Sequence, residues 1–357
     1  HFPLLSSIFG IYSVHSSHSP LLSSGAMCEK VPTDAVCPPV NPPIKRVFIT
    51  GGTHGNETNG VVLARHLLKS PSVAQRPSFT TTVVHTNTEA IKRNLRYVEE
   101  DLNRCFSLTG LCACGPSLEA RRAVELDALF GPKGSASPAA DFLLDLHNTT
   151  SSSGVALLMA PNDALSHAVA AHLQALDPSV RIVEWTRGVA DYPMLPSVAR
   201  SGMTFEVGPV AWGVIDGALY AQSLRLVKAA LDYVHAHNLA LEAGGPDGWE
   251  TRAVGVFRNV ATVDYPRDGD GDVSAMVHPA LQGADFSPLA PGAPAFLSVD
   301  GETALPFVAP EKAAKEAAAT GGVLYPFFVN EAAYYEKGCA FMLGVYEEVT
   351  VRVAKTG

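Results

Sequence analysis

Three side chains of this 357-residue sequence have the types and spacing to do chemistry together. His54 and Glu57 stand three apart in His54-Gly-Asn-Glu57, and His147 ends the apolar run 142–146. A catalytic zinc commonly takes two His and one Glu and keeps a fourth position for water. An H-x-x-E pair across a glycine turn can bring an imidazole and a carboxylate to one ion. Open α/β sheets gather functional groups at the carboxyl ends of their strands, where His147 would lie. An isolated H-x-x-E is a weak signal, and the other histidines are read as structural or solvent-facing. Glu206 is a second candidate: a carboxylate inside the apolar run 203–207 is costly unless paired or functional. Burial would raise its pKa toward the range of a general base, whereas backbone donors would make it structural. A third signal is Arg96-Tyr-Val-Glu-Glu-Asp101-Leu-Asn103-Arg104. Its arginines suit a carboxylate-binding pocket, although the adjacent Glu99, Glu100 and Asp101 also suit a salt-bridged surface loop.

The elements that would position these residues alternate. Residues 47–49 form an apolar run ending in Gly51-Gly52, and 57–68 have a helical pattern stopped by Lys69-Ser70-Pro71. Further strand-like runs cover 81–86, 142–146, 155–159 and 203–207, and 214–238 reads as a long amphipathic helix. This predicts an α/β domain over 43–243 around a central sheet. The glycine-rich break 243–246 reads as a linker. After it, Pro, Gly and short β-type runs such as 251–256 and 322–329 predict a smaller β-rich C-terminal domain over 246–350, with 313–319 a short helix or a loop.

Composition narrows the function. A net charge of −9 and a sequence pI near 5.7 argue against nucleic acid as a partner. No run of eighteen apolar residues suggests a membrane span. The six cysteines show no CxxC and read as free thiols, which fits a cytoplasmic protein; Cys112-Ala-Cys114 alone is a weak metal pair. Residues 1–42, rich in Ser, Pro and His, read as a disordered extension, and Met27 is a candidate native start.

Seven collinear stretches carry a resemblance: GGTHGNETNGV (51–61), RYVEEDLNRCF (96–106), DLHNTTSSSG (145–154), EVGPVAWGV (206–214), VDYPRDGDG (263–271), HPALQGADFSPLAPGAPAF (278–296) and YPFFVNEAAYYEKG (325–338). Over about 45–345 the sequence resembles the aspartoacylase and aminoacylase-3 family of zinc carboxypeptidase-like amidohydrolases. The resemblance implies an α/β zinc carboxypeptidase-like domain with a central mixed sheet, followed by a β-rich domain covering the cleft. It implies one zinc per chain on His54, Glu57 and His147, with Glu206 the general base and acid and Arg96 polarising the scissile carbonyl. Asn103, Arg104 and Tyr334 would fix the substrate carboxylate, and Tyr192 falls where the family places a pocket tyrosine.

The implied reaction is hydrolysis of a small N-acylated, chiefly N-acetylated, amino acid. Two departures bear on the substrate. Aspartoacylase has an arginine where this sequence has Pro196, with Arg200 four residues on, and a second lysine where this sequence has Gly338. Both changes remove positive charge and favour an aminoacylase-3-like specificity over N-acetylaspartate. A catalytically silent binding protein and a true carboxypeptidase are the remaining alternatives, and homo-oligomerisation is left open.

Overall fold

The computed structural model describes residues 42–185 and 192–356. The expected N-terminal extension, with Cys28 and Cys37, lies outside the described residues except for Pro42.

The first half alternates as its sequence pattern requires: β1 (Arg46–Gly51), α1 (Thr58–Lys69), β2 (Thr80–His85), α2 (Thr88–Arg93), α3 (Leu108–Ala113), α4 (Leu118–Phe130), β3 (Phe142–Asn148), β4 (Gly154–Met159), α5 (Ala164–Leu176), β5 (Val180–Glu184), β6 (Ser201–Gly208) and α6 (Gly217–Ala243). The C-terminal part contributes β7 (Trp249–Val263), β8 (Ala275–Val277), β9 (Pro294–Ser298), β10 (Ala304–Pro306), α7 (Glu311–Ala319), β11 (Tyr325–Phe327) and β12 (Phe341–Ala354). One nine-stranded mixed sheet runs β11-β12-β7-β5-β4-β6-β3-β1-β2, and β10-β9-β8 form a small second sheet. β1, β2, β3 and β6 are parallel, whereas β4 is antiparallel to β6.

All seven residues of β3 are buried, as expected of an apolar strand covered on both faces. α6 begins three residues later than the apolar pattern suggested. Asp216 is its N-cap, accepting from the backbone N–H groups of Ala218 and Leu219, so Val214 and Ile215 lie outside the helix and exposed. α5, which the sequence reading did not recognise, is buried on most of its surface and so shows little polar periodicity. Residues 313–319 are helical within α7.

The glycine break after α6 does not separate two sheets. β7 pairs in parallel with β5 and along its whole length with β12. One end of this pair, including Val254, Val256, Val351 and Val353, packs in the core beneath the parallel strands. The other end, including Val260, Phe341, Leu343 and Val345, packs in a second core with α7 and the small sheet. The β-rich region is thus joined to the central sheet by continuous backbone hydrogen bonding.

Candidate active site

The site lies where β1, β3 and β6 end side by side. Gly51 of β1 registers with Leu146 of β3, and His147 of β3 with Glu206 of β6. His54 sits in the turn after β1, Glu57 is the N-cap residue of α1, and both are buried with His147. The turn is tight because its glycines lie against neighbouring backbone: a Cβ at Gly55 would come within 2.1 Å of the Ala90 carbonyl carbon.

His54 Nδ1 lies 2.6 Å from Glu57 Oε1, His147 Nδ1 lies 2.8 Å from Glu57 Oε2, and the two Nδ1 atoms are 3.1 Å apart. Each outer ring nitrogen meets a buried carboxylate, His54 Nε2 with Asp101 at 2.9 Å and His147 Nε2 with Asp145 at 2.7 Å. Carboxylates are acceptors only, so they hold the protons on Nε2 and turn both Nδ1 lone pairs inward beside Glu57. Three acceptors facing one another in a buried pocket need a cation between them. The donor set, two imidazole nitrogens and one carboxylate, therefore fits a divalent metal of the zinc type. Although burial opposes the charge, Asp145 and Glu57 raise the His147 pKa well above its ordinary value, and His54 and His147 hold Glu57 well below its own.

Glu206 faces the same small pocket, together with Glu57, Arg96, Asn148, Thr149, Phe328, Glu331 and Tyr334. Its Oε2 has no hydrogen-bond partner among the described residues. Burial, with Glu57 and Glu331 nearby, pushes its pKa up to about 8 against the opposing pull of His147 and Arg96. The backbone-satisfied structural role is thus not what holds this oxygen. Arg96 donates to Glu57 Oε1 at 3.0 Å, and Nη2 lies 3.6 Å from Asp101; its buried Nε has no partner.

Beside this pocket, and sharing Tyr334 with it, lies a cleft of about 580 Å³ lined by Arg104, Trp185, Pro193, Met194, Thr262, Lys337, Cys339 and Met342. Of the expected substrate residues, Arg104 and Tyr334 line it. Tyr192 is buried against Trp185, with ring centroids 6.5 Å apart, and its hydroxyl has no partner among the described residues. Asn103 is buried, and its Oδ1 accepts from the Leu195 N–H at 2.8 Å, bracing the wall of the cleft.

One question about charge left open by the sequence is answered, and one expectation is corrected. Arg200 pairs with Asp141 at 3.0 Å and donates to the Pro43 carbonyl, at the opposite end of β3 from His147. Six residues of strand put that end about 20 Å away. Gly338 adopts φ +61°, and a side chain there would meet the Asp264 carboxylate at 2.9 Å rather than the cleft. A cation lost from position 338 therefore changes nothing in the pocket, whereas Lys337 does line it and pairs with Asp101. Position 196 is apolar and packs against β6 at Gly202.

Sequence reasoning missed Asp101 and Asp145 as supports of the ligands. Asp101 was read with its acidic neighbours as surface, yet it is buried, and His54, Arg104 and Arg96 lower its pKa against the effect of burial. Asp145 carried a usable signal, since residues i and i+2 of a strand share a face. Glu331 was also missed. It is 4% exposed and accepts from Thr149 Oγ1, Thr150 and the Ser151 N–H, fastening the C-terminal segment to the loop after β3. Cys105, Cys112, Cys114 and Cys339 are free thiols, as expected.

Two histidines and a glutamate gathered at the ends of neighbouring strands, with a further carboxylate opposite, are a donor set that could hold a metal ion. Residues 43–234 match the succinylglutamate desuccinylase/aspartoacylase catalytic domain and residues 252–344 the AstE/AspA barrel-sandwich hybrid domain, so the chain belongs to this family. It is 37% identical over 314 residues to the mouse N-acyl-aromatic-L-amino acid amidohydrolase (carboxylate-forming), covering 87% of this chain and 93% of the relative. It is 38% identical over 309 residues to rat aspartoacylase, covering 84% and 92%. The crystal structure of murine aminoacylase 3 superposes with a TM-score of 0.78 at 36% identity, covering 88% of this chain and 99% of that one.

Proposed function

We propose that the protein is a zinc-dependent amidohydrolase that cleaves N-acyl, chiefly N-acetyl, L-amino acids with neutral or aromatic side chains. The products are a carboxylate such as acetate and the free amino acid. Identity does not choose between the aromatic-amino-acid and aspartate relatives, since 37% and 38% are equivalent. The charge balance of the cleft supports the first. Arg96 is matched by Glu57 and Asp101, and Lys337 by Asp101, whereas no carboxylate among the described residues pairs with Arg104. Arg104 acts on Asp101 only at longer range, so its guanidinium stays open to one substrate carboxylate. The second carboxylate of N-acetylaspartate would face Trp185, Met194 and Met342, at a cost of several kcal/mol for an unpaired buried charge. An aromatic side chain gains from the same surfaces.

The ligand geometry supports zinc on His54, Glu57 and His147, where it would polarise the amide carbonyl and lower the pKa of water. Glu206 accepts a proton from the attacking water as the new C–O bond forms. It returns that proton to the amide nitrogen as the C–N bond breaks. Arg96 donates to the carbonyl oxygen as negative charge develops there. Arg104 holds the substrate carboxylate by its planar fork, with Tyr334 beside it. The family resemblance, rather than a contact, is what gives Asn103 and Tyr192 a share in substrate binding; in the fold they shape the wall behind Arg104. The acidic net charge and free thiols support a cytoplasmic enzyme of small molecules without nucleic-acid or membrane partners. Among the described residues no helix is long and apolar enough to cross a membrane.

The testing experiment is metal analysis together with a panel of N-acetyl amino acids. One zinc per chain and hydrolysis of N-acetylphenylalanine are expected. Full activity in metal-free protein, or no turnover of any N-acyl amino acid, would refute the reading.

A further inference from the structure

We propose that Lys133 is a positioning residue for substrate binding. Its ammonium group, behind the cleft wall, ties the segment that carries Arg104 to the segment that carries Pro193 and Met194. The proposal rests on the reading of that cleft as the substrate-carboxylate site.

Lys133 follows α4, is 8% exposed, and is absent from the lining of the cleft. Lysine is seldom buried, because its charge is costly to desolvate without compensating partners. An ammonium has three N–H donors. Here Nζ donates to the Phe106 carbonyl at 2.6 Å, to Ser197 Oγ at 2.7 Å, and to the Tyr192 carbonyl. The acceptors come from two stretches of irregular backbone far apart in the chain, 102–106 and 192–198.

The same two stretches are joined twice more. Asn103 Oδ1 accepts from the Leu195 N–H at 2.8 Å, and the Phe106 N–H donates to the Pro193 carbonyl at 3.1 Å. Ser197 Oγ also lies 2.9 Å from the Tyr192 carbonyl and 2.7 Å from that of Met194, which closes the second stretch on itself. Every cross-link ends within three residues of Arg104, Pro193 or Met194. No sheet ladder joins these segments; Leu102, Phe106, Leu195 and Val198 share one apolar core, and directional bonds between the two come from the links above and from the three donors of the Lys133 ammonium. Without it the Phe106 and Tyr192 carbonyls lose their strongest partner, and Arg104 can drift from the geometry its fork needs. Carboxylate binding is made in both the ground and the transition state, so misplacing Arg104 affects KM more than kcat.

The experiment uses the full chain loaded with zinc. For Lys133→Met, KM for N-acetylphenylalanine should rise about tenfold or more, given how steeply binding depends on sub-ångström placement, with kcat within about twofold. Zinc content should stay at the native level. The amidated substrate, which lacks the carboxylate, should show little change. Hydrogen exchange at the Phe106 and Leu195 amides should quicken, while exchange in β3 stays as in the native protein. An unchanged KM, unchanged exchange at Phe106 and Leu195, or a fall in kcat and zinc content at constant KM would overturn the proposal. Should Lys133→Met fail to fold, Ser197→Ala removes one of the three acceptors and should raise KM about threefold with the same exchange signature. If the native protein hydrolyses no N-acyl amino acid, the functional reading fails by itself. The exchange measurement then still decides whether Lys133 holds the two segments together.

Discussion

The candidate metal centre and the cleft proposed for the substrate share Tyr334 as a common wall, yet they are built in opposite ways. The centre stands on regular structure. His147 and Glu206 are registered neighbours in a sheet, Glu57 caps a helix, and each histidine is oriented by a buried carboxylate. The cleft is assembled from irregular turns at 102–106 and 192–198, from Thr262 near the end of β7, from the 3-10 turn Ala332–Lys337 and from Met342 in β12. Rigid elements hold the chemistry in place, and variable segments decide what it acts on. The comparison therefore predicts that changes at the centre act on turnover and metal, and changes in the cleft act on substrate binding and choice.

The largest effect belongs to Glu206→Gln. It should retain zinc and fold and lose kcat by at least about two orders of magnitude, as for a lost general base. Near-native turnover in the zinc-loaded variant would remove Glu206 from the mechanism. Next comes Asp145→Asn, which keeps the shape of the side chain but weakens the grip on His147 Nε2. Zinc affinity, measured by competition with a chelator, should fall about 10- to 100-fold, the usual range for a partner of a ligating histidine. Unaltered affinity would mean that the sheet alone orients His147.

Arg104→Ala should act in the other region. The expected result is a raised KM and lowered kcat/KM for N-acetylphenylalanine, with zinc content intact. The amidated substrate, already poor, should respond little; if the native enzyme cleaves it as well as the acid, Arg104 has another role. The smallest effects sharpen selectivity. N-acetylphenylalanine should be cleaved with higher kcat/KM than N-acetylaspartate, and Arg200→Ala should leave that ratio unchanged, because Arg200 is engaged with Asp141 at the far end of β3. The cost to stability should be modest, up to about 1 kcal/mol, for an ion pair that is partly solvent-exposed. A native preference for N-acetylaspartate lost in Arg200→Ala would show that the turn before β6 moves on binding.

The centre was legible in the sequence because each part of it is local. A glycine turn sets the spacing of His54 and Glu57, a largely apolar strand delivers His147 to a sheet end, and Glu206 stands out as a charge inside an apolar run. The collinear motifs then placed the three ligands in one family pattern. The supports were less legible. Asp101 has the same acidic neighbours whether it is exposed or buried, and only its contacts with His54, Arg96 and Lys337 separate the two cases.

By itself, the sequence determined most of the alternating elements, the candidate ligands and the carboxylate proposed as a base, since these follow from periodicity and residue chemistry within short windows. Tertiary structure decided what depends on distant neighbours. It joined the β-rich region to the main sheet through β7 and β12, where sequence showed only a glycine break. It turned Arg200 away from the pocket and pointed position 338 at Asp264. It also left Arg104 without a carboxylate partner among the described residues. Net charge in a cleft is a sum over segments that meet only when the chain folds, and no local pattern records which cations are neutralised there.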